Sequence, residues 1–171
     1  MIVENAILQA LRQTDPAARL SHLAYVGTLT PPKQVRPDAG LFLEFAPIER
    51  SWAHPLAATS VVGRSGAGRE KPTHGQTLEW LDANLAVFPG ESAQVLEYWL
   101  DASLHSKWTR PARQVPWTPE VLQSDLETYA RRGIRHITTF AAWIDGDYVR
   151  RFGPPGFVAE YGAALNAARP R

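Results

Sequence analysis

The chain has 171 residues, no cysteine, six tryptophans, fourteen prolines and a formal net charge of +1. The length suits a single domain with a buried core, and the content of 44% hydrophobic and 20% charged residues is that of ordinary globular proteins. The small net charge argues against nucleic acid as a partner, and the absence of cysteine excludes a disulfide framework and thiol catalysis.

The first part of the chain is predicted to form one helix and two strands. Apolar residues recur at helical spacing from Val3 to Leu11, and this helix ends before Pro16. Residues 19–25 and 41–45 are the predicted strands, and the loop between them is rich in proline.

The rest of the chain alternates helices and strands after an insertion. The predicted segments are a flexible insertion over 57–75, a helix around 78–88, a strand over 94–100, a helix over 118–133, a strand over 134–142 and a helix over 157–165. The complete order, α-β-β-α-β-α-β-α, predicts an α/β fold in which right-handed crossovers join parallel strands.

A polar residue stands in the middle of each predicted strand, although strands buried on both faces should be nearly all apolar. These residues are His22, Glu44, Glu97, and His136 or Thr138. Two explanations are open. One face of the sheet is half-exposed at an open edge, or the strands line a barrel in which inward positions near the C-terminal mouth are polar and functional.

Three stretches carry a resemblance to a known family: LAYVGTLTPPKQVRPDAGLFLEFAPIER (23–50), LEYWLD (96–101) and GIRHITTFAAWIDGDY (133–148). In their order they resemble the C-terminal half of family 4838 of the domains of unknown function. Proteins of that family look like glycoside hydrolases with a TIM barrel, of the alpha-glucuronidase and hexosaminidase kind.

The resemblance implies that this chain is half of a TIM (β/α)8 barrel. Its four strands would be the fifth to the eighth, whereas a whole barrel needs about 250 residues. The other half would come from a longer protein, from a second copy of the chain or from another protein. The first two strands depart from the pattern, because about fifteen residues separate them, too few for a crossover helix.

In a barrel of this kind, catalytic residues lie at the C-terminal ends of the strands. Glycoside hydrolysis needs two carboxyl groups, about 5 Å apart for retention of configuration or about 6.5–9.5 Å apart for inversion. We therefore predict Glu97 as base or nucleophile, Glu49 as its partner and Asp101 as a reserve. The alternatives are structural: Glu97 is a buried carboxylate paired with an arginine or histidine, and Glu49 forms an ion pair with Arg50 or Arg110.

Five of the six tryptophans fall at strand ends or in the loops that follow them. Flat aromatic faces stack on the apolar faces of sugar rings, although large aromatic residues also seal the mouth of a barrel without binding anything. The predicted substrate-binding residues are Arg50, Trp52, His54, Trp99, His105, Trp108, Trp143 and Tyr148.

The sequence therefore predicts a glycoside-hydrolase-like protein that acts on or binds carbohydrate. The alternatives are a carbohydrate-binding protein without catalysis and a structural half-barrel that needs a partner chain. We expect no cofactor, and no metal because the five histidines lack paired ligand spacing. No signal peptide and no apolar run of about eighteen residues is found, so we expect no membrane partner, and the compartment stays open.

Overall fold

A computed structural model describes residues 1–64 and 71–168. Four parallel strands form one sheet in the spatial order β1-β2-β3-β4: β1 Leu20–Tyr25, β2 Leu41–Ala46, β3 Gln94–Glu97 and β4 His136–Thr139. Strands that follow one another along the chain are therefore neighbours in the sheet. The predicted α/β class and the parallel sheet are confirmed.

Six α-helices accompany the sheet within the described ranges: α1 Ile2–Arg12, α2 His74–Leu85, α3 Ala102–His105, α4 Pro119–Ala130, α5 Gly146–Phe152 and α6 Phe157–Ala167. Two of them, α3 and α5, are not predicted from the sequence. Each begins after an aspartate, Asp101 or Asp145, whose carboxylate accepts two main-chain N–H groups of the first turn.

Two predicted strands are too long, and the physical reason is shared. β3 ends at Glu97 because its carboxylate accepts the N–H of Tyr98 and the chain turns there, with Asp101 N–H donating to the Tyr98 carbonyl. β4 therefore pairs with only the four residues of β3. The last hydrogen bond between these strands runs from the Phe140 N–H to the Glu97 carbonyl, at 2.8 Å. The predictions of strands over 94–100 and 134–142 are wrong at these ends.

Helices α1 and α4, and Phe88 just after α2, contact one face of the sheet, which we call the covered face. Its side chains include Leu43, Phe45 and Val95, all fully buried. His22 is also on this face, where it stacks on Phe88 with ring centroids 5.2 Å apart and binds Glu4 of α1 at 2.8 Å.

The opposite face, which we call the open face, carries mostly side chains that are partly or fully exposed. The strand register places on it Ser21, Leu23, Tyr25, Phe42, Glu44, Ala46, Gln94, Leu96, His136 and Thr138, of which Ala46, at the C-terminal end of β2, is fully buried. Leu23 is 43% exposed and Tyr25 is 37% exposed. The polar residues of the strands thus divide: Glu44, His136 and Thr138 lie on the open face, and His22 and Glu97 lie on the covered face.

The chain between β2 and α2 approaches the C-terminal end of β2. An antiparallel pairing joins residues 61–64 to 71–74, with Gly63 N–H donating to the Pro72 carbonyl at 2.8 Å. A Cβ on Gly63 would lie 2.2 Å from the Glu49 carbonyl oxygen, so only glycine fits there. Of the insertion predicted as flexible over 57–75, residues 65–70 lie outside the described residues.

Candidate functional site

Arg50 is the centre of a buried polar cluster below the C-terminal edge of the sheet. It follows β2, is fully buried, and uses one nitrogen to bind Glu97 at 2.8 Å and Asp125 of α4 at 2.6 Å. Its other nitrogens donate to the carbonyls of Ser51 and His54. One guanidinium thereby fixes the segment after β2 to both β3 and α4.

Further donors saturate the two carboxylates. Glu97 accepts from the indole N–H of Trp52 at 3.0 Å and from the hydroxyl of Tyr129. Asp125 accepts from the indole N–H of Trp99 at 3.0 Å and from the main-chain N–H of Leu56 at 2.7 Å. Both carboxylates are 0% exposed.

The cluster holds two acids and one cation, and this imbalance sets its electrostatics. Burial raises the pKa of Glu97; Arg50 opposes that shift and the neighbouring Asp125 adds to it. Burial alone would lower the pKa of Arg50, but Glu97 and Asp125 raise it overall, so the guanidinium stays charged. In this geometry Glu97 holds the fold together and its carboxylate reaches no solvent.

His74, at the start of α2, makes a second buried link to the same segment. Its Nδ1 lies 2.9 Å from the Pro55 carbonyl, and its Nε2 lies 3.1 Å from the Ser51 nitrogen. A carbonyl requires a donor and an N–H requires an acceptor, so the ring is neutral with its proton on Nδ1. Burial lowers the pKa of His74, which favours the same form.

A different arrangement lies at the edge itself, around Arg64. The main-chain N–H of Arg64 donates to the Glu49 carbonyl at 2.6 Å, and its guanidinium donates to the Leu104 carbonyl in α3 at 3.1 Å. The guanidinium also lies over the Trp52 ring, 5.5 Å from its centroid, and His105 contacts the same ring edge-on at 6.1 Å. We call Glu49, Arg64 and His105 the edge site.

The edge site contains two buried acceptors with no partner among the described residues, Glu49 Oε1 and His105 Nε2. Burial lowers the pKa of His105, while the main chain of Trp99 opposes that shift, so the neutral ring is favoured. Since Nε2 has no partner in that part of the chain, we infer that Nδ1 carries the proton toward the Trp99 main chain and that Nε2 is the acceptor. The two atoms could each accept a hydrogen bond from a ligand, and the Arg64 guanidinium, which uses one nitrogen on the Leu104 carbonyl, has further N–H groups to donate. Neither alternative ion pair of Glu49 forms, since Arg50 binds Glu97 and Asp125 and Arg110 binds Asp145.

The other predicted site residues are spread over the same end of the molecule. Asp101 is buried and caps α3, Tyr148 is buried and its hydroxyl accepts from the Val115 N–H, and the His54 side chain is exposed. Trp143 lies under the Arg110 guanidinium, 4.3 Å from it, and Trp108 is 64% exposed. The structure brings Glu97, Arg50, Trp52 and Trp99 together as a buried unit. Arg64 meets Glu49 through the main chain, and Arg64 and His105 both contact the Trp52 ring.

Four residues that sequence reasoning missed are Arg64, His74, Asp125 and Tyr129. A signal for Asp125 existed, because it stands on the apolar stripe of α4 between Leu122 and Tyr129, where an acid requires a buried partner. Nothing in the local sequence marks Arg64 or His74.

Comparisons of the chain with protein families, with curated protein sequences and with solved structures find no match. Across residues 1–64 and 71–168, no helix is long and apolar enough to cross a membrane. In the same residues no group of three or more histidine, aspartate or glutamate side chains could hold a metal ion.

Proposed function

We propose that this chain binds carbohydrate at the C-terminal edge of its sheet, through Glu49, Arg64 and His105. The observation that carries the proposal is the pair of buried acceptors without a partner, Glu49 Oε1 and His105 Nε2. A buried acceptor left unsatisfied costs about 1–3 kcal/mol, so a ligand that supplies hydrogen-bond donors to these two atoms would be favoured.

Sugar hydroxyls fit these groups. Each hydroxyl donates one hydrogen bond, which Glu49 or His105 accepts, and it accepts another, which a guanidinium supplies. Trp108 lies three residues after His105 and is largely exposed, so its ring offers a stacking face.

Hydrolysis of a glycosidic bond is the second candidate. The observation in its favour is that burial raises the pKa of Glu97, which is the direction of shift that a proton donor to the leaving group requires. Its enclosure by Arg50, Trp52 and Tyr129 opposes this role, since the segment after β2 would have to move before Glu97 met a substrate. Binding therefore has the stronger support.

A panel of 4-nitrophenyl glycosides tests both candidates. Tryptophan fluorescence reports binding, and released nitrophenolate reports hydrolysis. We expect Glu49→Gln and His105→Phe to weaken binding by about tenfold or more, equivalent to about 1.4 kcal/mol. His105→Phe keeps the ring against Trp52 and removes only the nitrogen acceptor. Glu91→Gln, on an exposed turn just before β3 and thus at the opposite end of that strand from the edge site, is the matched control and should bind as the wild type does.

The outcomes separate the two candidates. Binding that both edge-site variants leave unchanged would refute the proposal, as would a panel in which no glycoside binds. Nitrophenolate release that is lost in Glu97→Gln, while glycoside binding persists, would establish the second candidate.

A further inference from the structure

We propose that the ligand of this chain is an acidic polysaccharide, and that the loop over residues 106–113 binds its anionic groups. We call this segment, SKWTRPAR, the basic loop. The choice of a polysaccharide rests on the carbohydrate binding proposed above, whereas the preference for an acidic ligand comes from the loop itself.

The basic loop concentrates positive charge. Residues 102–119 hold three cations, Lys107, Arg110 and Arg113, and no acid, although the whole chain has a net charge of only +1. All three cations are exposed. Arg110 binds Asp145 at 2.9 Å, but neither of the other two forms an ion pair with another described residue. Two positive charges of the loop are therefore free to bind an anionic ligand.

The basic loop is short and closed, so its cations lie close together. Ser106 Oγ accepts the Arg113 N–H at 2.7 Å, which joins the two ends of the loop. Consecutive cations are three residues apart, so their Cα atoms lie within about 11 Å of each other. The loop is also fixed to α5, because Arg151 donates to the Ala112 carbonyl. Cations held at a fixed spacing suit a ligand with repeated anionic groups.

Trp108 adds a flat apolar ring to these cations. It is 64% exposed, and both Trp108 and Lys107 have a left-handed backbone, with φ of 53° and 54°. Residues with side chains adopt this conformation rarely, and it is held here by N–H groups that donate to the Ser103 and Leu104 carbonyls at 2.8 and 3.0 Å. An indole ring is thus fixed in solvent next to the ammonium group of Lys107. A sugar ring can stack on it while the acidic groups of the sugar bind the cations.

The basic loop continues directly from the edge site. His105 immediately precedes the loop, and the Arg64 guanidinium donates to the Leu104 carbonyl one residue earlier. A ligand in the edge site therefore lies next to the loop. A chain of linked sugars contacts both, which is why we infer a polysaccharide and not a single sugar.

Single-stranded nucleic acid is the other polyanion to consider, and two observations disfavour it. Nucleic-acid-binding domains typically have a pI above about 9, whereas the pI of this chain is about 8.1. Sites for single strands also stack successive bases on several aromatic side chains. The loop itself has only Trp108, and the nearby Trp143 ring has the Arg110 guanidinium over it, 4.3 Å from its centroid.

Isothermal titration calorimetry with two matched pairs of polymers tests the proposal: dextran sulfate against dextran, and polygalacturonate against its methyl ester. We expect the acidic member of at least one pair to bind about tenfold or more tightly at low salt, and the two pairs distinguish sulfate from carboxylate. The preference should fall at about 1 M salt, where the Debye length is about 3 Å. Lys107→Gln/Arg113→Gln should lose it. Arg131→Gln/Arg135→Gln, which removes the same charge from exposed positions before β4, at the opposite end of the sheet, should keep it.

Equal binding of the acidic and neutral polymers would overturn the proposal, and so would a preference that survives Lys107→Gln/Arg113→Gln. An oligothymidylate that binds as tightly as the acidic polymers would overturn the choice of a polysaccharide. The neutral glycosides separate this proposal from the previous one. If they bind through Glu49 and no acidic preference is found, only the role of the basic loop fails. If they do not bind, the edge site fails.

Discussion

The buried cluster around Arg50 and the edge site around Arg64 lie near the same end of the sheet, but they differ in whether their polar atoms have hydrogen-bond partners within the protein. In the cluster, Glu97 and Asp125 each accept several hydrogen bonds and reach no solvent. In the edge site, Glu49 and His105 each retain an acceptor with no partner among the described residues.

The contrast separates two uses of similar side chains. A carboxylate that accepts its full set of hydrogen bonds within the protein has no free acceptor for a ligand, and substituting it lowers the stability of the fold. A buried acceptor without a partner lowers the stability of the free protein, and this cost is removed only when a ligand donates a hydrogen bond to it. Glu97 belongs to the first kind, and Glu49 belongs to the second.

Of the variants considered, Arg50→Met should lose the most stability. It leaves Glu97 and Asp125 buried side by side without a cation, and breaking a buried ion pair in this way costs about 3–5 kcal/mol. Urea unfolding measures the change. Arg131→Met, which removes an exposed arginine at the end of α4, is the control and should change the free energy of unfolding by no more than about 0.5 kcal/mol. Equal effects of the two variants would contradict the structural role of the cluster.

An intermediate effect is expected from His74 as the pH falls. Burial lowers its pKa in the folded chain below the ordinary value of 6.5, and nearby Arg50 and His54 lower it further, while the Pro55 carbonyl and Glu97 oppose the shift. The unfolded chain therefore binds the proton first. The stability is fully present above about pH 6.5 and is lost as the pH falls, by about 1.4 kcal/mol for each unit of depression.

The His74→Gln variant has no titrating group at this position, so its free energy of unfolding should fall less than that of the wild type as the pH falls. Urea unfolding of both proteins at several pH values between about 7.5 and 5 measures the difference. Glu97 acts with the opposite sign. Its raised pKa adds stability below its ordinary value of 4.5, and this is lost as the pH rises. Since both proteins retain Glu97, the difference between them isolates His74. Parallel pH profiles for wild type and variant would rule out this role for His74.

The smallest change in stability is expected from Glu49→Gln. Its Oε1 has no partner to lose, so the free energy of unfolding should stay within about 0.5 kcal/mol of the wild type or rise slightly. The same variant should show the loss of glycoside binding described above. Thermal unfolding checks the first expectation, and a loss of several kcal/mol would place Glu49 with the buried cluster.

The sequence was a good guide to the order of the elements and a poor guide to which face each residue occupies. Apolar periodicity and the proline and glycine breaks locate the four strands and the long helices. Alternation along a strand, however, separates two faces without saying which one meets the helices. Glu44 and Glu97 were therefore equivalent candidates for an inward position, and the register with α4 behind Glu97 distinguishes them.

The candidate site was predicted in part. Glu49 and His105 follow predicted strands and were named because functional groups collect at those ends. Arg64 was missed because its position depends on the close approach of Gly63 to Glu49, a backbone contact that local sequence does not reveal. Asp125 and Tyr129 were missed for a different reason, since their partners lie 75 and 32 positions away along the chain.

The pairing of Arg50 with Asp125 also fixes when this end of the molecule can be completed during synthesis. The segment after β2 emerges from the ribosome well before α4, which is 75 residues further along. Until α4 docks, Arg50 has only part of its partners, and the Leu56 N–H has no carboxylate to bind. A nascent chain that stops short of Asp125 therefore carries Glu49 without the ion pair that anchors the segment beside it.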